Sequence, residues 1–562
     1  MPTMPGKVYD AIVIGSGAVG GWAAKELAEG GMEIAVLEAG RHLDPEKDFT
    51  EHTWPYELPF RGFGQPGRVS KEQWSAASVA SEYNSHLYVK DAECPYTFPK
   101  DKPFEWVRSR QVGGRSIVWG RQSYRYSNYD FKAASHDGYG EDWPTSYEDL
   151  EPYYDKVEDF IGVSGTVEGL PQLPDGKFLP GMALTCAERV FKKVVDRFGD
   201  RRLIIGRTAI LTKDHRGRLA CHWCGHCSRG CSTGSYYSSP ASTLPAATKT
   251  GKMTLVPNAI AREILVDEDG KPNGVSYVHR LTKQEYRLYG KVIVLCASTL
   301  ESARLLLLSK SRFHPNGLGN SSGVLGHYLM DHTIRAGAAG YLRSLAGKPD
   351  MWDDGRANGI YIPRFRNLKT RHPKYIRGWG YQGAAARGLF PGHARQGADF
   401  GSAFKKEVRE RWPYSISIGG WGEMLARYDN YVEINNDVKD AWGIPALHIV
   451  CSHGDNELKM AEDIVESALE MLHAVGAEIT FVNRKLANPG HCIHEMGTCR
   501  MGADPKTSVL NKWNQSWDCK NLFVTDASCF TSSGCANPTL TAMAITALAC
   551  DYILEQYRLG SL

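Results

Sequence analysis

The chain has 562 residues, which is too long for one ordinary hydrophobic core, so two interleaved domains are expected. Apolar residues make up 42% and charged residues 23%, a globular composition, and the net charge of +3 is too small to indicate nucleic-acid binding. No apolar run approaches the ~20 residues of a membrane span, and residues 1–10 lack the basic start and apolar core of a signal peptide.

The first forty residues carry a dinucleotide-binding pattern in its required order of strand, glycines and helix. Tyr9–Ile14 predicts a buried strand, a glycine-rich turn follows it, and an alanine-rich stretch from about Gly21 to Glu29 predicts a helix. Ile34–Leu37 predicts a second strand, and Glu38 comes directly after it. The pattern indicates a dinucleotide site and leaves FAD and NAD as alternatives.

The glycines of this turn each have a physical task at a phosphate site. Gly15 allows the tight turn, Gly17 lets the backbone approach a pyrophosphate, and Gly20 lets the helix pack on the strand. The start of the helix offers unpaired N–H groups and a partial positive charge to the phosphates. Glu38 suits a ribose diol and would repel the additional phosphate of NADP.

A second glycine-rich turn lies at Gly113 and Gly114, with Ser116 close behind. These small residues permit close approach to a flat cofactor or its phosphates, although a tight turn into a helix would use the same residues. The preceding residues 46–104 are rich in aromatic and polar residues, contain several prolines and show no sustained hydrophobic periodicity. We expect them to form a lid over the cofactor or an excursion from the domain. Trp143–Tyr154 then predicts a helix start capped by Ser146 or Thr145.

Four of the fourteen cysteines crowd into eleven residues, at Cys221, Cys224, Cys227 and Cys231. The spacing C-x2-C-x2-C-x3-C lets one loop wrap a compact inorganic cluster, and it favours one iron–sulfur cluster held by three or four thiolates. Three alternatives compete with this interpretation. They are a zinc knuckle, which usually needs two ligand pairs separated by a longer loop, a redox disulfide pair, and inert buried cysteines.

Hydrophobic periodicity predicts two further groups of elements. One group suits a cofactor domain and consists of strands at Met253–Val256 and Lys291–Leu295 and a helix at Leu300–Leu308. The other suits a sheet-and-helix cover over the cofactor and consists of alternating strands at Tyr414–Gly419 and Tyr431–Ile434 and an amphipathic helix at Asp455–Val475.

Motifs along most of the chain resemble the glucose–methanol–choline (GMC) family of flavin oxidoreductases. Besides the two glycine turns and the Trp143 helix, the similar stretches are Val292–Leu307, Gly326–His332, His494–Thr498 and Asn537–Thr539. The last two are the most specific. The resemblance implies an α/β fold in which a Rossmann-like FAD-binding domain is interleaved with an α+β substrate domain built on an antiparallel sheet.

The resemblance also implies a division of the chain. The FAD-binding domain would comprise residues 1–45, 105–135, 245–335 and 485–562. The substrate domain would comprise residues 136–244, which contain the cysteine loop at 221–231, together with residues 336–484. Residues 46–104 would form the lid or excursion.

Matching positions in the family imply roles for particular residues. His494 stands at the position of the active-site base, and Asn537 matches the second active-site residue, which is a histidine or an asparagine in the family. Asn537, Pro538 and Thr539 should border the flavin pyrimidine edge, and Asp526 should lie near the ribityl chain and pyrophosphate. The remaining cofactor-binding residues would be Gly15, Gly17, Gly20, Glu38, Gly113, Gly114 and Ser116. His491 and Glu423 are further candidates without a motif.

The cysteine loop is similar to one branch of the family. This branch includes the large subunit of gluconate 2-dehydrogenase and bacterial FAD-dependent glucose or glycoside 3-dehydrogenases, which carry a 3Fe–4S centre in the matching region. The spacing here departs from theirs, so a 4Fe–4S cluster is an alternative. In that branch a small companion subunit carries a twin-arginine signal, and a cytochrome receives the electrons. We therefore expect a heteromeric periplasmic enzyme, with a cytoplasmic enzyme as the alternative.

The expected function is an FAD-dependent dehydrogenase of a sugar or glycoside. A ring secondary hydroxyl, with C3 as the preferred position, would be oxidised to a ketone by hydride transfer to FAD, and electrons would leave through the iron–sulfur cluster. Two alternatives are a sugar or alcohol oxidase that uses oxygen and holds structural zinc, and a flavin electron-transfer subunit without its own substrate.

Overall fold

The computed structural model describes residues 6–58, 61, 67–348, 356–387, 400–411 and 413–562. Its strands in chain order are β1 (Val8–Ile14), β2 (Ile34–Leu37), β3 (Ser164–Gly165), β4 (Leu179–Pro180), β5 (Ile204–Ile205), β6 (Met253–Val256), β7 (Ala259–Val266), β8 (Pro272–His279), β9 (Glu285–Leu295), β10 (His332–Thr333), β11 (Gly337–Leu342), β12 (Ile360–Ile362), β13 (Trp379–Ala386), β14 (Tyr414–Glu423), β15 (Tyr431–Lys439), β16 (Pro445–Val450), β17 (Glu478–Asn483) and β18 (Leu522–Val524).

Helices lie between and around these strands. In chain order they are α1 (Ala18–Glu29), α2 (Pro45–Asp48), α3 (Arg68–Glu72), α4 (Asn128–Phe131), α5 (Ala133–Asp137), α6 (Tyr147–Ile161), α7 (Cys186–Val195), α8 (Thr243–Lys249), α9 (Thr299–Leu308), α10 (Gly401–Arg411), α11 (Asp455–Ala474) and α12 (Thr539–Arg558). Within the described part of the chain, none of them combines the length and apolar character that a membrane-spanning helix requires.

The first sheet has a parallel part with the strand order β6-β2-β1-β9-β18. Its strands are continuous apolar runs because helices cover both faces, and Ala11 and Val13 of β1 pack with Leu27 of α1 and Ile553 of α12. The first half of β9 pairs antiparallel with β8, which pairs with β7. A parallel sheet gathers the carboxyl ends of its strands on one edge, where ligands of such folds bind.

The second sheet is antiparallel, in the order β17-β11-β14-β13-β12-β5, with the short β10 also paired to β14. Alternate residues of β14, such as Ile416 and Ile418, face a core that α11 covers with Met460 and Ile464. This alternation is typical of a sheet with one buried face. The α/β fold with an antiparallel second sheet is therefore confirmed.

The predicted elements are confirmed with shifted ends. α6 begins after Ser146, whose hydroxyl accepts a hydrogen bond from the Asp149 N–H, while the Asp149 carboxylate accepts from Ser146. α1 begins at Ala18 rather than near Gly21, because Gly17 already serves as its N-cap. A Cβ at Gly20 would lie 1.9 Å from the Gly15 carbonyl oxygen, so glycine is required where the helix packs on the turn.

The segment 46–104 contains α2, α3 and short turns in its described part, and residues 59, 60 and 62–66 lie outside the described residues. β10 falls in a stretch assigned to the cofactor domain from the sequence, yet it pairs with the second sheet. The division into domains stays a prediction.

Candidate active site

A cavity of about 1250 Å³ lies where the carboxyl edge of the first sheet meets the second sheet. Gly15 after β1, Glu38 after β2, Cys296 after β9 and Asp526 after β18 line one side of it. Strands β13 and β14 contribute side chains such as Gln382 to the other side. One continuous cavity therefore contains both the glycine turn and the candidate catalytic residues.

The turn after β1 has the geometry that the sequence pattern requires. Gly15 has a φ of +101°, and a Cβ there would lie 2.3 Å from the carbonyl oxygen of Cys296. Gly17 has open surroundings, with the nearest atom 4.0 Å from where a Cβ would lie. No side chain caps the start of α1, so its first N–H groups are available to an anion in the cavity.

Glu38 is buried at the end of β2 and lines the cavity. Its Oε2 accepts hydrogen bonds from the Ser16 N–H at 3.2 Å and the Ser16 hydroxyl at 2.6 Å, and its Oε1 accepts from the Gly40 N–H at 2.8 Å. Burial raises the pKa of Glu38, although these hydrogen bonds oppose the rise. Each carboxylate oxygen keeps acceptor capacity for a ribose hydroxyl.

Buried cationic and polar groups in the lining provide a test of whether a dinucleotide fits. Among the described side chains, Arg108 Nε, Ser109 Oγ, Arg110 Nη1 and Arg121 Nε are buried without a hydrogen-bond partner, and all four residues line this cavity. Buried donors without partners are costly, and an anionic ligand would satisfy them. The donor set and the free helix N-terminus therefore fit the pyrophosphate-containing FAD.

The Gly113–Gly114 turn lies against the first glycine turn. The Gly113 N–H donates to Ser16 Oγ at 3.0 Å, and the Ser116 hydroxyl donates to the Gly113 carbonyl at 2.6 Å. Gly114 and Ser116 line the cavity, in a 3-10 turn that spans Gly114–Ile117. Ser116 thus holds the turn together at the cavity wall, and its contact with a cofactor stays a prediction.

His494 and Asn537 meet in this cavity although 43 positions separate them. The Asn537 Nδ2 lies 3.2 Å from His494 Nε2, and the Gln382 amide donates to Asn537 Oδ1 at 2.7 Å. Pro538 and Thr539 also line the cavity at the start of α12. The N-terminal N–H groups of α12 therefore point to the same region and favour negative charge there.

Besides Gln382, two residues at this site were not expected from the sequence as site residues. His332 Nδ1 lies 3.0 Å from His494 Nδ1, and the Cys492 sulfur lies 3.3 Å from the same nitrogen. The ring nitrogens of His332 and His494 and the Cys492 sulfur, all atoms that can bind a metal, lie within 4.8 Å of one another. The hydrogen bonds among them account for this closeness. The Gly326–His332 motif was the available signal for His332, whereas Gln382 lies in no recognisable motif.

Burial sets the charge state of the histidines. Burial, with smaller contributions from His332 and Arg115, lowers the pKa of His494 well below its ordinary value, and burial lowers the pKa of His332 to about 4. Burial raises the pKa of Asp331 to about 7. Asp331 faces backbone rather than the imidazoles, because its carboxylate accepts from the N–H groups of Gly490, Cys492 and His494. Both imidazoles are neutral near pH 7.

Asp526 lines the cavity, and both oxygens of its carboxylate accept hydrogen bonds from other residues of the chain. Its carboxylate accepts from the N–H of Ser298 at 3.0 Å, the hydroxyl of Ser302 at 2.5 Å, and both the N–H and hydroxyl of Ser528. It therefore fastens the loop after β9 to the loop after β18. Direct contact between Asp526 and the cofactor stays a prediction.

The two candidates without a motif have different surroundings. His491 lines the cavity, but Arg335 Nε donates to its Nε2 at 3.0 Å and its Nδ1 lies 2.6 Å from Glu105 Oε2. Both ring nitrogens of His491 therefore contact charged side chains, whereas His494 contacts neutral ones. Glu423 is buried outside this cavity, with Arg364 Nη1 3.3 Å from its Oε1.

The four clustered cysteines lie in one loop that touches the cavity wall. Ser228 of this loop lines the cavity, and Arg121 Nη1 donates to the Cys227 carbonyl at 3.4 Å. Burial raises the pKa of Cys221 to about 11, and the three neighbouring thiols add to that rise. A bound metal or cluster would stabilise the thiolate forms of these side chains.

The spacing of these thiols bears on the kind of metal. A tetrahedral zinc with Zn–S bonds of about 2.3 Å would hold the sulfurs about 3.8 Å apart. Among the described residues, no three of the four sulfurs lie within 4.8 Å of one another. The kind of metal or cluster that this loop holds stays a prediction.

Comparison with known proteins identifies the family. Models described as GMC oxidoreductase match residues 9–334 and 426–546. The chain therefore belongs to the GMC oxidoreductase family, in which the expected cofactor is FAD.

Relatives align along nearly the whole chain. A 2-methyl-1,2-propanediol dehydrogenase of Mycolicibacterium austroafricanum is 30% identical, over 98% of this chain and 95% of its own. The fructose dehydrogenase large subunit of Gluconobacter japonicus is 26% identical, over 98% of each chain. The gluconate 2-dehydrogenase flavoprotein of Pantoea cypripedii is 25% identical, over 98% of this chain and 94% of its own. A solved formate oxidase variant from Aspergillus oryzae covers all of both chains with a TM-score of 0.63 at 14% identity, which is a likeness of fold.

Proposed function

We propose that this protein is an FAD-dependent dehydrogenase that oxidises a ring secondary hydroxyl of a sugar or glycoside to a ketone. The single observation that carries the proposal is the His494 imidazole beside Asn537, with Nε2 and Nδ2 3.2 Å apart, in the cavity that also contains the glycine turn. When bound, FAD supplies the acceptor for the hydride that leaves the alcohol carbon.

The chain's own residues supply the proton chemistry. Oxidation of an alcohol needs a base for the hydroxyl proton, and the unprotonated Nε2 of His494 faces the cavity and can take it. The Asn537 amide lies beside this nitrogen and orients the substrate oxygen without competing for the proton. Because burial keeps His494 neutral, the base is ready without prior deprotonation.

The relatives support a polyol substrate. Those aligned over nearly the whole chain include dehydrogenases of fructose and gluconate and a dehydrogenase of a small branched diol. We propose a sugar or glycoside with oxidation at C3. The second candidate is a small vicinal diol, which the 30% identity to the diol dehydrogenase favours.

We further propose that Cys221, Cys224, Cys227 and Cys231 hold a 3Fe–4S or 4Fe–4S cluster. Such a cluster supplies one-electron transfer to an acceptor. The four thiols in one loop at the cavity wall support this proposal, as does the likeness to a protein named as the large subunit of a dehydrogenase. We propose a small companion subunit, a cytochrome acceptor and a periplasmic location reached by export with that companion.

Product analysis tests the proposed function. The purified protein is incubated with an artificial electron acceptor and a panel of methyl glycosides, free sugars, gluconate and 2-methyl-1,2-propanediol. We expect turnover of a glycoside and a 3-keto product by NMR. An anomeric lactone would contradict oxidation at C3, and turnover of the diol alone would establish the second candidate.

A further inference from the structure

His332 is buried at the start of β10 and contacts His494 on the side of the ring opposite Asn537. Its exposed fraction is 2%, and its Nδ1 lies 3.0 Å from His494 Nδ1. It does not line the cavity, so it cannot touch a substrate there. Any effect of His332 on the reaction must therefore pass through His494.

The proton on each ring nitrogen follows from the hydrogen-bond partners. His332 Nε2 lies 3.0 Å from the Gly534 carbonyl oxygen, which can only accept, so this nitrogen carries the proton. A neutral imidazole has one N–H, so His332 Nδ1 is an acceptor. The facing Nδ1 of His494 must then donate, which leaves His494 Nε2 unprotonated.

Independent contacts on the other side of His494 lead to the same assignment. The Gln382 amide nitrogen donates to Asn537 Oδ1 at 2.7 Å, which turns the Asn537 nitrogen toward His494. That nitrogen is a donor 3.2 Å from His494 Nε2, so Nε2 must accept. Five groups therefore form one directed series of hydrogen bonds, running from Gln382 through Asn537, His494 and His332 to the Gly534 carbonyl.

The other groups around the two rings do not reverse this assignment. The Cys492 sulfur lies 3.3 Å from His494 Nδ1 and can accept from the same N–H as a weak second partner. The Asp331 carboxylate accepts backbone N–H groups, and Arg115 is ion-paired with Glu495 at 2.7 Å. Neither Asp331 nor Arg115 therefore competes for His494 Nδ1.

We propose that His332 is a positioning residue that holds His494 in the tautomer with the proton on Nδ1, so that Nε2 faces the cavity as the base. The inference rests on the proposed function and extends it to a residue that never meets the substrate. When the substrate hydroxyl proton moves to Nε2, His494 becomes positively charged. Its Nδ1–H then donates a charge-assisted hydrogen bond to His332, which stabilises the charge as it forms.

Two variants of similar shape separate positioning from packing. His332→Leu removes the acceptor for the His494 N–H, and His332→Asn offers an amide oxygen in nearly the same place. Both variants lose the hydrogen bond to Gly534, so their difference isolates the acceptor. We expect His332→Leu to slow reduction of the flavin by substrate about 10-fold or more, because the buried His494 N–H loses its stronger acceptor and keeps only the weak Cys492 sulfur. His332→Asn should stay within about threefold of the wild-type rate, with KM little changed in both. Equal losses in the two variants would overturn the proposal.

Nitrogen NMR of the holoenzyme labelled in its histidines gives a readout that is independent of turnover. The His494 signals are identified by their loss in His494→Gln. We expect Nδ1 of wild-type His494 to be protonated and Nε2 to be unprotonated, whichever compound proves to be the substrate. A wild-type ring protonated on Nε2 overturns the proposal even if neither His332 variant folds. Failure of the proposed function would be seen in a different measurement, because no alcohol would then reduce the flavin.

Discussion

Asn537 Nδ2 lies 3.2 Å from His494 Nε2, and this contact joins the start of α12 to the loop that follows β17. It sets an amide donor and an imidazole base side by side at the wall of one cavity. An alcohol oxygen placed between them would meet a group that orients it and a group that takes its proton. The predictions below follow from this arrangement and from the surroundings of the cavity.

Replacing the base should slow chemistry without loss of FAD. We expect His494→Ala to reduce the rate of anaerobic flavin reduction by at least ~100-fold, the usual scale for losing a general base. His491→Ala is the matched control, since His491 lines the same cavity but is held by Arg335 and Glu105. Stopped-flow absorbance measures both. A normal rate in His494→Ala together with a slow His491→Ala would move the base to His491.

Removing the Asn537 amide should slow flavin reduction less than removing the His494 imidazole does. We expect Asn537→Ala to slow flavin reduction by about fivefold, because a lost neutral hydrogen bond is worth about 1 kcal/mol. The same stopped-flow assay measures it, and a loss larger than that in His494→Ala would show that Asn537 has the leading role.

The depressed pKa of His494 predicts a flat pH profile. The base is active when unprotonated, so lowering its pKa moves loss of activity toward more acidic pH. We expect the rate of flavin reduction to be constant from about pH 6 to about pH 9. Burial raises the pKa of Asp331, which accepts from the backbone N–H of His494, to about 7, so Asp331→Asn is measured beside the wild type. A rate that falls toward acid with a midpoint near 6.5, the ordinary value of histidine, in both proteins would contradict a buried neutral base.

Glu38 should control retention of the cofactor. Its carboxylate lies at the carboxyl end of β2, and Glu38→Ala removes the acceptors for two ribose hydroxyls as well as the bonds to Ser16. We expect the variant to lose most of its FAD during gel filtration. Glu33→Ala is the control, since Glu33 lies just before the same strand and makes an exposed ion pair with Lys7. The ratio of FAD to protein measures the effect, and full retention in Glu38→Ala would contradict the assigned role.

The cysteine loop should bind iron and pass electrons. We expect iron and acid-labile sulfide in the purified protein, and their loss in Cys224→Ser. That variant should still reduce its flavin with substrate and should fail to reduce a cytochrome. Cys186→Ser is the control, because Cys186 lies at the start of α7 outside the loop. Zinc in place of iron, or normal cytochrome reduction in Cys224→Ser, would contradict the proposed iron–sulfur cluster and its role in electron transfer.

The elements that depend on local pattern could be predicted from the sequence. The β1 strand and the glycine turn were expected because their apolar run and special backbone are local features. The pairing of His494 with Asn537 was expected only through a family motif. His332 was missed as a site residue because it lies 162 positions before His494 in the chain. Gln382 was missed because a single polar residue within a strand gives no sign of which cavity its side chain enters.

Anaerobic mixing of the holoenzyme with methyl glycosides tests the central claim most directly. The flavin absorbance should bleach on addition of a glycoside, and deuterium at the oxidised carbon should slow the bleaching, because the hydride leaves that carbon. The contradicting result would be a flavin that stays oxidised with every sugar, glycoside and diol, in enzyme that carries one FAD per chain and contains no inhibitor.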